Sequence, residues 1–175
     1  MNGTNSTLYV LAVDATWLIL KCQMAGDQMS EVVTKTPKNG YTAMGLLGIR
    51  SKSNLDLAAK VEAGLSFSSM ERFSKNVKLP LDDVRKAIRL TPRTMARRRS
   101  VNRLSPEESD RLVSVSRLFA LTLELFDGRI ANANRWFTTP NRALGRRSPL
   151  EVASTEVGSR EVENLIGRIM HGVFS

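Results

Sequence analysis

"IRLTPRTMARRRS", residues 88–100, joins the end of one apolar helix to a run of arginines. Thr91 is a good N-cap, and Pro92 needs no amide partner at a first helical position, so a helix is predicted to start here. Just upstream, "LPLDDVRKAIRL" puts Leu81, Val84 and Ile88 on one face of a short helix. Two short helices joined by a turn through Leu90 and Thr91 predict a helix-turn-helix unit. In that arrangement the first residues of the second helix enter the major groove. Arg93, Thr94 and Arg97 are therefore candidates for base edges, since a guanidinium pairs bidentately with guanine. Arg98, Arg99 and Arg103 fall where phosphates are held, and Met95 is expected to turn back to the core. Such units usually carry a small residue and a turn glycine where this chain has Arg85 and Arg89. Both side chains are expected to snorkel outward. The same stretch also admits a blander reading, a helical core whose arginines are only solvated.

Charge bears on that choice. The net charge of the 175 residues is +9. Residues 55–104 hold 12 Lys/Arg against 5 Asp/Glu, whereas residues 105–128 hold 2 against 5. A basic excess gathered around the opening stretch is the footprint of a polyanion binder, with salt-sensitive affinity. Charge alone also fits a protein that is merely basic and soluble.

Away from this motif the punctuation is helical. "SNLD" (53–56) and "SSME" (68–71) each carry a capping residue followed three later by an acid, and "SPEE" (105–108) and "SPLE" (148–151) add a proline at the first helical position. Apolar residues between these starts recur at spacings of three and four, and no alternation is long enough for a strand. The expectation is an all-α chain with helices at about 55–64, 68–78, 80–89, 91–100, 105–127, 129–137, 148–154 and 159–171, each end good to about 2–4 residues. Its parts are an N-terminal extension (1–53), a helix-turn-helix domain (54–104), a connecting and dimerising helix (105–128) and a C-terminal domain (129–175).

The extension is read as poorly ordered or packed at an edge, or as the product of an upstream, non-native start. "LYVLAVDATWLIL" (8–20) is apolar but interrupted by Asp14, and falls short of the ~20 residues a spanning helix needs. No basic residue precedes it, as a signal peptide would require, and Lys21 before Cys22 argues against a lipid-modified cysteine. One cysteine and one histidine, His171, supply no intramolecular disulfide and no zinc set. With no glycine-rich phosphate loop either, an enzyme, a metal and a cofactor are not expected, and a cytoplasmic setting is.

From about Asn54 onward the chain resembles the Xre-type antitoxins of the Xre/MbcA/ParS group. The resemblance rests on "AAKVEAGLSFSSMERF", "LTPRTMARRR", "LSPEESDRL", "RWFTTPNRALGRRSPLEV" and "REVENLIGRIMHGVFS", in that order. Arg147 stands where the pattern leads one to expect glycine, and residues 1–53 have no counterpart. The resemblance implies an Xre-like helix-turn-helix domain on double-stranded operator DNA, repressing its own operon. It implies a C-terminal domain that silences a RES-domain, NAD-degrading toxin, its end covering the toxin's active site.

The final helix fits that implication. Val162, Leu165, Ile166, Ile169 and Val173 form one apolar stripe, and Phe174 follows it. The stripe serves either its own domain or a partner's pocket. Arg160 and His171 join the candidates for the toxin contact, with Arg168, Glu161 and Glu163 at the rim. Truncation after Gly158 is expected to free the toxin while leaving a folded DNA binder. On the helix after "SPEES", Leu112, Val115, Leu118 and Phe119 form a stripe read as core plus a homodimer seam, since such proteins commonly read two half-sites. Trp136 and Phe137 are expected to anchor the C-terminal domain. The runner-up function is a stand-alone transcriptional regulator whose C-terminal helices bind another protein or a ligand.

Overall fold

A computed structural model describes residues 41–172; the candidates Val173 and Phe174, and residues 1–40, lie outside the described residues. The described chain is helical throughout. In order it runs α1 (Ala43–Leu47), α2 (Asn54–Ala63), α3 (Phe67–Val77), α4 (Leu81–Ala87), α5 (Pro92–Val101), α6 (Pro106–Leu125), α7 (Ile130–Thr138), a 3-10 turn (Arg142–Leu144), α8 (Pro149–Val152) and α9 (Glu156–His171). Among the described residues the extended pairing is a single bridge, Asn141 with Arg147.

The two Ser-Pro starts become complete capping boxes. Ser105 Oγ accepts the Glu108 amide while the Glu108 carboxylate accepts the Ser105 amide, and Ser148 and Glu151 repeat the exchange. Each satisfies two amides that the first helical turn would otherwise leave unpaired. The carboxyl of Glu151 is held below its ordinary range chiefly by the Ser148 backbone amide. "SSME" behaves differently from its reading. Helix α3 begins at Phe67, upstream of Ser68, and Ser66 at its cap makes no side-chain cap bond. Phe67 is almost wholly covered, so burial of its ring draws the helix start upstream of the polar signal. α9 likewise begins before residue 159, because Thr155 caps the Gly158 amide.

α6 is the spine. Leu112, Val115, Leu118, Phe119 and Leu123 are each 0 % exposed, and α1, α2, α7 and α9 all pack on this helix. Leu112, Val115, Leu118 and Phe119 therefore cannot form a dimer seam: the chain's own helices cover the stripe. Phe119 meets Phe73 of α3 and Phe137 of α7 edge-on, with centroids 6.1 and 5.4 Å apart. Trp136 packs on Phe126 at 6.4 Å. The aromatics of "RWF" thus anchor α7 to the same core that holds the helix-turn-helix. Residues 41–49 pack on the body, as the packed alternative for this part of the extension has it. Leu46 and Leu47 are buried, and α3 satisfies carbonyls at the end of α1 through Asn76 on Leu46 and Arg72 on Gly48.

α9 lies on α6 through Val162, Leu165 and Ile166, all buried. Its first turn presses on α8 so closely that a Cβ at Gly158 would stand 1.9 Å from the Val152 carbonyl oxygen. Gly158→Ala is expected to cost about 3 kcal/mol or more through this overlap, lowering the melting temperature by roughly 10 °C for a domain of this size. A scanning-calorimetry trace matching the wild type would show that α8 and α9 can part there without loss.

Candidate nucleic-acid interface and C-terminal binding face

The turn between α4 and α5 is tight for a physical reason. Arg89 takes a left-handed conformation (φ 60°), the Leu90 amide reaches back to the Arg85 carbonyl and the Arg89 amide to that of Lys86. This is a Schellman closure with an arginine at the position glycine favours, and buried Leu90 as its apolar plug. Arg85 does not snorkel outward. Its side chain is only 14 % exposed, and its guanidinium donates to Asp82 and to the Leu90 carbonyl. Hydrogen bonds from Arg85 and Lys86 pull the Asp82 carboxyl down to about 2, so α4 keeps its charges in a closed local set.

Thr91 caps α5 by accepting the Thr94 amide, with Pro92 in the first turn. α5 contributes no fully buried residue; Met95 packs against the core from a half-buried position. Charges and caps do much of the holding. Arg98 pairs with Glu108 at 2.7 Å, with the two side chains 21 % and 10 % exposed. Arg99 pairs with Glu71 at 2.8 Å and lies over the Phe67 ring at 5.4 Å. Past the C-terminus, Asn102 accepts the Phe67 amide on its carbonyl and the Ser68 amide on its side chain. Arg98, expected to hold a phosphate, instead ties α5 to α6 from a largely covered position, whereas Arg99, 60 % exposed, keeps much of its guanidinium open to solvent beside its pair with Glu71.

The other candidates remain outward. Arg93 and Arg97 are exposed, four residues apart and so on one face of the helix. Neither side chain has a hydrogen bond or ion pair to another described residue. Thr94 is half-buried beside them, its hydroxyl 2.8 Å from that of Thr91. Arg103 is exposed with its stem alongside Gly64. The chain thus presents a helix with Arg98 as an inner strut and with Arg93 and Arg97 free for a polyanion.

Comparison with known proteins gives this geometry a family. Residues 56–117 match the model for the "Antitoxin Xre-like helix-turn-helix domain", and residues 122–172 the "Antitoxin Xre/MbcA/ParS C-terminal toxin-binding domain". A protein named Antitoxin Xre from Yersinia enterocolitica serotype O:8 / biotype 1B is 33 % identical over 130 residues, 74 % of this chain and 88 % of the relative. Another of that name from Photorhabdus laumondii subsp. laumondii is 30 % identical over the same shares. The chain belongs to the Xre/MbcA/ParS antitoxin family. It is an Xre-type antitoxin, non-enzymatic, with a DNA-binding helix-turn-helix and a toxin-binding domain.

Within this antitoxin the C-terminal candidates divide by exposure. Val162, Leu165 and Ile166 face the chain's own core and are not available to a toxin while α9 is docked. Ile169 is half-buried against that core. Arg160, paired with Glu156 at 3.1 Å, and His171 are exposed. Val157, 80 % exposed, and Met170, 36 % exposed, are apolar surface residues that sequence reading missed. Among the described residues no cluster of His, Cys, Asp and Glu is arranged to hold a metal, and no helix is long and apolar enough to cross a membrane.

Proposed function

We propose that this antitoxin neutralises a RES-domain, NAD-degrading toxin and represses its own operon, as a homodimer acting in the cytoplasm and on operator DNA. The outer face of α5 carries the DNA half of the reading. Arg93, Thr94 and Arg97 read base edges there and Arg99 and Arg103 hold phosphates, while Arg98 fixes the helix that presents them. For the toxin half, support comes from the sequence blocks shared with the family and from the exposed end of α9. Arg160, Ile169 and His171 approach the toxin there, with Val173 and Phe174 following. With the α6 stripe enclosed, the homodimer forms through another surface.

Affinity capture of the tagged chain from its host, with mass spectrometry of what stays bound, tests the toxin. A stoichiometric RES-domain protein is the expected partner. Recovery of operator DNA with no protein partner would instead favour a stand-alone regulator.

A further inference from the structure

Residues 128–150 contain five arginines and no aspartate or glutamate. Arg129 finds Asp127, but Arg142 and Arg146 have no carboxylate partner among the described residues, and Arg142, Arg146 and Arg147 are all exposed. They sit on one short loop closed by the Asn141–Arg147 bridge, with the Arg146 amide bonded to the Asn141 carbonyl and the Gly145 amide to that of Arg142. Arg147 donates to the Glu151 carbonyl at 3.4 Å, and its charge also acts on the Glu151 carboxylate. Two unneutralised guanidinium groups, those of Arg142 and Arg146, thus share one short loop with Arg147.

The backbone adds an independent observation. The loop turns through two successive left-handed residues, Gly145 (φ 65°) and Arg146 (φ 61°). The position that favours glycine is thus Arg146, one residue before the Arg147 singled out in the sequence. Glycine adopts this conformation freely, whereas any other side chain is strained there. An arginine held at such a place, among like charges, suggests use by a partner.

We propose that the Asn141–Arg147 loop docks an acidic surface of the toxin, resting on the toxin-binding reading above. The loop lies inside the toxin-binding segment, residues 122–172. A phosphate track shared with α5 is less suited to it. Arg147 lines a cleft of about 410 Å³ together with Asp83 and Lys86 of α4 and Glu151 of α8, so a phosphate backbone crossing it would meet two carboxylates against one lysine. Arginine forks suit carboxylates on a protein partner, and charges at the rim of an interface act mainly on association rate and its salt dependence.

The test uses the full-length chain and the toxin that co-purifies with it. Arg142→Gln, Arg146→Gln and Arg147→Gln are combined, and Arg50→Gln, Lys52→Gln and Lys75→Gln, all exposed and outside the toxin-binding segment, remove the same charge elsewhere. The loop variant is expected to associate with toxin at least tenfold more slowly, with a flatter salt dependence, while the control stays within about twofold. Operator affinity should fall equally in both variants. Arg146→Gly separates docking from folding: it should weaken toxin binding at an equal or higher melting temperature. Equal toxin association by the loop variant and the wild type overturns the proposal. So does a selective loss of operator binding, which would make the loop a DNA contact. A wild-type chain that holds no toxin at all overturns the toxin-binding reading itself, and this proposal with it.

Discussion

Replacing Arg93 and Arg97 with alanine should weaken operator binding by about 1–3 kcal/mol for each arginine that pairs with a base, and lower the salt slope by about 1 for each that meets a phosphate. Both side chains are exposed and unpaired among the described residues, so folding stability should change by no more than about 0.5 kcal/mol. Arg98→Ala gives the opposite signature. It removes the partner of Glu108, a residue only 8 % exposed, and should cost about 1–3 kcal/mol of stability. Its effect on DNA then comes through the tilt of α5. Titration of operator DNA at several salt concentrations, with melting curves on the same samples, distinguishes the two classes. Unchanged operator affinity and salt slope in the Arg93/Arg97 variant would remove α5 from the DNA interface, whatever Arg98 does.

That contrast shows what the sequence could and could not disclose. Thr91, Pro92, Ser105, Glu108, Ser148 and Glu151 were legible because a cap is a local device, satisfied within three residues. The all-helical class followed from spacing for the same reason. Arg98 looked like a phosphate ligand because its partner, Glu108, lies across a turn, and no periodicity pairs residues of different helices. The α6 stripe was legible as apolar, but spacing does not say who covers it. Part of the cover is α1, five residues long and too short to show a helical repeat of its own. α9 posed the same ambiguity: Val162, Leu165 and Ile166 read equally as core or as bait, and packing against α6 decides for core. The strain at Arg146 was invisible because a left-handed turn is a property of backbone angles, and an arginine does not advertise it.

Truncation after Gly158 is expected to abolish cooperative folding, not to leave an intact DNA binder. The cut removes Val162, Leu165 and Ile166, 0 %, 6 % and 1 % exposed, and bares the face of α6 they cover. Burial of each such side chain is worth about 1.5–3 kcal/mol, so three of them approach the whole net stability of a domain, about 5–15 kcal/mol. Because α6 also anchors Arg98 through Glu108 and α3 through Phe119, loss of α9 loosens the seat of α5. The truncated chain should show no sharp thermal transition and little operator affinity. Full operator binding with a cooperative melt would mean that α9 rests on a body stable without it, and that its apolar stripe is free to serve the toxin. If the transition is lost, toxin release by this truncation says nothing about where the toxin binds. The contact must then be mapped with surface changes that spare the core, at Val157, Arg160, Met170 and His171.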